Sequence, residues 1–250
     1  MSKDMMIALG GGALSGLISL AFVAGFPGAM LAVYLTPLPL FMIGLSLGLN
    51  SQTVAGVSGV VTAAAIGGPL SALLFALIYA LPVWLVVRLA LIRWQVSDGN
   101  GVITEEWTPA GTILAMLAIF AAALFALAYF LALGQEGGLQ GMIQSILERV
   151  FSYLMPGLQD SGRENMLGAW SALFPGYLGM SWIVMSIINV SIALAVLNRL
   201  KASIRPGSGI SELTLPDRIS WFLIAAAALS LLGSLSEQGE IAYFGRNLVM

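Results

Sequence analysis

Long apolar runs separated by short polar segments fill most of this sequence. Runs that can be read as membrane-crossing helices lie at about residues 5–25, 28–49, 53–68, 70–93, 110–133, 177–198 and 219–235. A crossing needs about 20 apolar residues, so the third run is short. Charged residues make up only 9% of the chain, against about 25% in soluble domains, which excludes a water-soluble fold. The sequence therefore predicts an all-α, polytopic transmembrane helix bundle with about seven or eight spans.

The predicted bundle covers residues 1–250 as a single integral membrane domain. Its last apolar run begins at Ile241 and continues to Met250. About ten residues at 1.5 Å each do not cross a hydrocarbon core about 30 Å thick, so we expect a helix that is cut short. An earlier run, residues 166–198, is longer than one span, and Pro175-Gly176 is expected to divide it. Residues 166–176 are then either an interfacial helix or part of a span.

The basic residues predict an orientation. Seven of the ten lie on one side of the predicted spans, namely Lys3, Arg88, Arg93, Arg199, Lys201, Arg205 and Arg218. Cytoplasmic loops carry the excess of Lys and Arg. We therefore expect a multi-pass protein of the inner (plasma) membrane with a cytoplasmic N-terminus. Residues 95–109 and 199–218 are then cytoplasmic loops, and residues 134–165 are external.

The two longest linkers differ in character. Residues 95–109 form a polar segment and are read as a loop with a turn at Asp98-Gly99. Residues 139–155 repeat apolar side chains at helical spacing, with polar side chains between them, and Pro156-Gly157 follows. This pattern predicts an external amphipathic helix. It either lies flat at the membrane surface or covers an outward-facing cavity.

Small residues recur at four-residue spacing in the first predicted span, where Ala8, Gly12 and Gly16 form a small-residue stripe. In lipid, small residues allow two helix backbones to approach closely. The stripe packs either against another helix of this chain or against a helix of another membrane protein subunit.

Uncharged polar residues within or beside the spans could line a pocket for a neutral or weakly polar molecule. Each could also simply hydrogen-bond to a neighbouring helix. Pro37 frees backbone carbonyls in the second span, which adds polar groups there. The candidate pocket residues are Tyr34, Thr36, Asn50, Gln52, Tyr79 and Asn189.

Enzyme activity is not expected from this composition. The chain has no cysteine and no histidine, which excludes thiolate and imidazole chemistry and the common zinc and haem sites. Gly10-Gly11-Gly12 is not followed by Lys-Ser or Lys-Thr, so it is not a phosphate loop. No Asp or Glu lies in the middle of a predicted span. We expect no catalytic residue, no metal, no cofactor and no nucleic-acid partner.

Several segments together resemble a known family. They are MIALGGGALSGLISL in the first span, YLTPLPLFMIGLSLG in the second, the Ala/Gly-rich third span and the late run FGRNLVM. In these segments the chain resembles the YybS-like multi-pass membrane proteins of bacteria, a family of unknown function. That family is distantly similar to the substrate-binding subunits of energy-coupling-factor vitamin transporters. The resemblance implies a first helix whose small-residue stripe docks a transducer subunit, and an ATPase on another chain.

Two functions follow from these expectations. The first is a transport subunit that binds a small molecule and lacks its own ATPase. The second is an envelope structural or assembly protein that acts through helix–helix contacts in the lipid bilayer. A pocket lined by the polar residues favours the first, and a solidly packed bundle favours the second.

Overall fold

The computed structural model describes residues 2–21, 28–97, 103–135, 137–154, 160–205, 215–235 and 239–250. The chain divides into two compact units. Unit 1 comprises Met1–Leu117 and Val184–Leu215, and unit 2 comprises Ala118–Ile183 and Pro216–Met250.

The helices in the described residues are α1 (Lys3–Ser19), α2 (Ala29–Tyr34), α3 (Pro37–Leu47), α4 (Leu49–Phe75), α5 (Leu81–Ala90), α6 (Ala110–Ala132), α7 (Gly138–Leu154), α8 (Asp160–Arg199), α9 (Arg218–Leu235) and α10 (Gly239–Val249). A π-helical turn, Ala76–Ala80, joins α4 to α5. By length and apolar character, Leu49–Ala90, Ala110–Ala132 and Met166–Arg199 could cross a membrane, and Leu31–Leu47 and Ile219–Leu235 are shorter apolar helices. The predicted all-α helix bundle is confirmed.

The segment from α4 to α5 is a hairpin of two antiparallel arms. Gly68 has φ 81° and ψ −178°, which is not helical, and Pro69 follows it. In one straight helix Gly59 and Phe75 would lie about 24 Å apart. Instead, a Cβ added to Gly59 would lie 2.5 Å from the Phe75 ring, and one added to Gly56 would lie 3.7 Å from Ala80 Cβ. The predicted division into spans at 53–68 and 70–93 therefore matches the chain reversal.

One end of unit 1 collects several chain segments. Gly48, with φ 86°, turns the chain from α3 into α4 at this end. The Ile204 N–H donates to the Leu45 carbonyl at 2.9 Å, and Arg205 Nη1 donates to the Ala90 carbonyl at 3.3 Å. A cation at the C-terminus of α5 complements the helix dipole. Lys201 lies in the same connecting segment as Arg205, so two basic residues lie near this end.

The segment read as a polar loop after α5 is a two-stranded antiparallel hairpin. Strand β1 (Arg93–Ser97) pairs with β2 (Ile103–Trp107), with Arg93 opposite Trp107. Arg93 lies over the Trp107 ring at 4.4 Å and forms an exposed salt bridge of 3.2 Å with Glu105. The loop interpretation was wrong, because β-branched and aromatic residues on both strands favour pairing. The turn expected at Asp98-Gly99 lies outside the described residues.

The amphipathic helix expected at residues 139–155 is present as α7, which spans Gly138–Leu154. Leu139 and Leu147 are buried in unit 2, whereas Met142, Ile146 and Val150 are exposed. The expected apolar face is therefore wider than the face that packs on protein. Its remaining part is free to contact lipid. The Pro156-Gly157 stop lies outside the described residues.

Helix α8 continues through Pro175 and is not divided there. Proline lacks an N–H group, so the Ser171 carbonyl loses its usual helical donor. The Tyr243 hydroxyl of α10 donates to that carbonyl at 3.0 Å. Asn247, one turn further along α10, accepts from the Gly176 N–H at 3.0 Å and donates to the Ala172 carbonyl at 3.0 Å. The expected division at Pro175-Gly176 was wrong because α10 supplies the missing hydrogen bonds.

Helix α10 also folds back along α9. A Cβ added to Gly245 would meet the Ser230 backbone, and one added to Gly233 would meet the backbone of Ala242. Glycine at these two positions therefore lets the two helices pack in direct backbone contact. The run that begins at Ile241 is thus a short helix held between α8 and α9 within unit 2.

Candidate functional site

The break between α2 and α3 lies at the centre of a polar cluster inside unit 1, formed by Ser15, Thr36, Tyr79 and Asn189. Pro37 and Pro39 have no N–H groups, so the helical hydrogen-bond ladder is interrupted here. The Leu38 N–H donates to the Leu35 carbonyl instead of continuing the ladder to Tyr34. Asn189 Nδ2 donates to the vacated Tyr34 carbonyl at 2.8 Å. The proline pair thus leaves a buried backbone carbonyl without its helical donor, and Asn189 of α8 supplies the hydrogen bond instead.

Two further contacts join the cluster. The Ser15 hydroxyl of α1 donates to the Thr36 carbonyl. Tyr79, from the π-helical turn, interacts with Thr36. Three separate helical segments, α1, the π-helical turn and α8, therefore converge on the α2–α3 break. Ser15, Thr36 and Asn189 are each 0% exposed.

Two buried side-chain oxygen atoms of the cluster keep unused hydrogen-bonding capacity. Thr36 Oγ1 has no hydrogen bond of normal geometry, and Asn189 Oδ1 has none at all. Asn189 uses Nδ2 twice, for Tyr34 and for the Met185 carbonyl at 2.8 Å. Its free atom is therefore a hydrogen-bond acceptor. Leaving such a group unsatisfied in the interior costs about 1–3 kcal/mol, so each atom is a place where a ligand could bind.

Gln52 forms a second buried polar position. It is 1% exposed, and neither Nε2 nor Oε1 has a hydrogen-bond partner. Its Oε1 lies 3.1 Å from where a Cβ on Gly44 would be, and Val87 borders the same space. Gly44 is about 12 Å along the helix axis from Thr36 at 1.5 Å per residue. Gln52 thus lies nearer the end of unit 1 where Arg205 is found.

The six candidate pocket residues therefore do not form one pocket. Thr36, Tyr79 and Asn189 come together, and Gln52 is buried at a different depth. Tyr34 contributes its carbonyl, while its side chain is 40% exposed. Asn50 is exposed at the start of α4, because the Gly48 turn carries it to the end of the bundle. The sequence interpretation missed Ser15, although it lies on the same face of α1 as the small-residue stripe.

The small-residue stripe packs inside unit 1. Ala8, Gly12 and Gly16 are all buried. A Cβ added to Gly12 would meet the Ala55 backbone, and one added to Gly16 would lie 2.6 Å from the Gly59 carbonyl oxygen. The structure thus assigns the stripe to an internal contact between α1 and α4. A transducer helix has no access to it, because the α4 backbone occupies the space.

Arg205 is the buried charged side chain of unit 1 among the described residues, and it lies at the C-terminus of α5. Arg205 is 5% exposed, and burial lowers the pKa of its guanidinium, although arginine stays protonated in proteins. Among the described residues, no group of three Asp or Glu side chains is placed to hold a metal ion. The polar cluster itself is built from hydroxyl, amide and carbonyl groups, which suit an uncharged ligand.

A family model described as a predicted membrane protein (DUF2232) matches residues 13–250. The chain belongs to this family. No curated protein matches the chain, and no solved structure matches it. The expected membership in a family of membrane proteins of unknown function is confirmed. The distant similarity to energy-coupling-factor transporter subunits gains no support from these comparisons.

Proposed function

We propose that this membrane protein binds a small, uncharged polar molecule in unit 1 as a transport-type subunit. The observation that supports the proposal is the polar cluster, in which Asn189 Oδ1 is buried without a partner and Thr36 Oγ1 has no hydrogen bond of normal geometry. Each costs about 1–3 kcal/mol when nothing bonds to it. A ligand that supplies the missing partners recovers that cost, and this recovery contributes to its affinity.

The chemistry of the free atoms defines the ligand class. Asn189 offers only its Oδ1 acceptor, because Nδ2 is engaged. Thr36 offers a hydroxyl, which can donate or accept a hydrogen bond. The ligand must therefore carry at least one O–H or N–H donor. No carboxylate lies in the middle of a predicted span, which argues against an amine or metal cation as the ligand.

Binding requires the bundle to open, and unit 1 has features that permit movement. The α2–α3 break, the Gly68 reversal and the π-helical turn at Ala76–Ala80 all interrupt regular helix. Interrupted helices around buried polar groups are typical of transporter binding sites. Since the sequence has no phosphate loop, we propose that another chain supplies any energy from ATP.

The test is ligand retention, measured by native mass spectrometry of the gently extracted chain. Thr36→Val preserves the shape of the side chain and removes a hydroxyl that makes no normal hydrogen bond, so the fold should persist. The wild type should carry a small polar molecule that Thr36→Val loses at least tenfold. Asn50→Ala, at an exposed position, is the matched control and should retain it. Equal retention by Thr36→Val and the wild type, or no bound molecule in any sample, would count against the proposal.

We further propose that the basic end of unit 1 is cytoplasmic and that the protein resides in the inner membrane. The positive-inside rule and the gathering of Arg205 and Lys201 beside the ends of α3 and α5 support this orientation. The chain has no native cysteine, so single cysteines report accessibility directly. An impermeant thiol reagent on intact cells should label Ile66→Cys, beside the Gly68 reversal, and should not label Ser97→Cys. The opposite labelling pattern would reverse the orientation.

A further inference from the structure

A cavity of about 170 Å³ lies in unit 2 between α6, α8, α9 and α10. Small residues make this space, among them Ala118 and Ala122 on α6 and Gly179 on α8. A Cβ added to Gly179 would meet nothing within 4 Å, so this glycine faces open space. The cavity therefore exists because the glycine and alanine residues of its wall have no side chains large enough to fill it.

The wall of the cavity offers no free polar side chain among its described residues. Asn247 is the polar side chain in the lining, and both of its amide atoms are engaged by Gly176, Ala172 and Tyr243. A water molecule needs two to four polar partners, so this space does not favour water. An apolar cavity of about 150 Å³ can stay dry and bind a molecule the size of benzene.

The cavity is continuous with the apolar outer surface of unit 2. Met180, Leu223 and Ile119 line it and are 54%, 47% and 43% exposed. In a membrane protein such a surface faces hydrocarbon, so an acyl chain from the bilayer has direct access.

We propose that this cavity holds the end of one acyl chain of a bilayer phospholipid. Its volume accommodates a segment of about six carbons, by comparison with a benzene-sized cavity. The hydrogen bonds between α10 and the Pro175 region fix one wall of the site, so the cavity does not depend on the lipid to keep its shape. The acyl chain leaves a hydrocarbon environment and enters an apolar cavity, so no water is displaced. The attraction therefore comes from close packing of the acyl chain against the cavity wall.

The experiment is native mass spectrometry of the full chain released from nanodiscs of a single phosphatidylcholine. Gly179→Phe fills the cavity and should fold, since nothing blocks the new side chain near the backbone. Gly168→Phe is the matched control on the same helix, because its Cβ also meets nothing within 4 Å and it does not line the cavity. The wild type and Gly168→Phe should each retain one phospholipid per chain, and Gly179→Phe should lose it at least fivefold.

Ala122→Leu provides a second, smaller filling of the same space from α6 and should reduce retention in the same direction. The adduct mass separates a phospholipid from a free fatty acid or a detergent molecule. Three results would overturn the proposal. They are retention of detergent or fatty acid alone, equal loss of phospholipid in Gly168→Phe and Gly179→Phe, and full retention in both Gly179→Phe and Ala122→Leu. Because all these variants lie in unit 2, failure here leaves the Thr36 test of the polar cluster unaffected.

Discussion

Gln52→Met offers the sharpest test of the buried polar groups in unit 1. Methionine has nearly the shape of glutamine, but it carries no amide atoms. Both amide atoms of Gln52 are buried without a hydrogen-bond partner. Each such group costs about 1–3 kcal/mol, and replacing it with an apolar group of the same shape can stabilise the fold. We expect Gln52→Met to raise the free energy of unfolding by about 2 kcal/mol, at the low end of that sum.

The assay is reversible unfolding in mixed micelles, followed by tryptophan fluorescence and analysed by linear extrapolation. Gln144→Met is the matched control, because Gln144 Nε2 donates to Ser171 Oγ at 3.3 Å. Losing that bond should lower the unfolding free energy of the control by about 0.5–1.5 kcal/mol. If Gln52→Met instead lowers the unfolding free energy by more than about 1 kcal/mol, the amide has partners and the reasoning is refuted.

Two further substitutions test the packing of each unit. Gly12→Ala should lower the free energy of unfolding by about 1–3 kcal/mol, because the added Cβ would meet the α4 backbone. The control is Gly10→Ala, whose Cβ would meet nothing within 4 Å and which should change the free energy of unfolding little. Equal effects of the two substitutions in thermal unfolding would disprove the internal contact. Tyr243→Phe leaves the Ser171 carbonyl unpartnered and should cost about 1–3 kcal/mol. In a Pro175→Ala background, which restores a helical N–H donor, the same change should cost at most half as much, and a double-mutant cycle without coupling would contradict the assigned role.

The sequence predicts the helices and most of their limits because apolar run length is a local property. The Gly68-Pro69 reversal illustrates this, since composition alone divides the run there. The small-residue stripe illustrates the opposite case. Small residues allow close packing in lipid against a helix of the same chain and against a helix of another protein alike. Gly12 alone therefore does not identify Ala55 as its neighbour.

The sequence predicted individual residues of the candidate site but not which of them come together. Thr36 and Asn189 are polar residues in apolar runs, so each was recognisable singly. Their association depends on which helix crosses the α2–α3 break, which is a tertiary property. Asn50 and Gln52 are neighbours in sequence, yet one is exposed and the other buried, because the Gly48 turn sets where the helix begins.

The repair of the Pro175 region by α10 imposes an order on biosynthesis. Asn247 follows its partner Ala172 by 75 positions along the chain. At about 5–20 residues per second, a ribosome needs about 4–15 s to make that stretch. During this interval the Ser171 and Ala172 carbonyls have already been synthesised, and their partners on α10 have not. This region of α8 therefore cannot complete its hydrogen bonding before α10 has been synthesised.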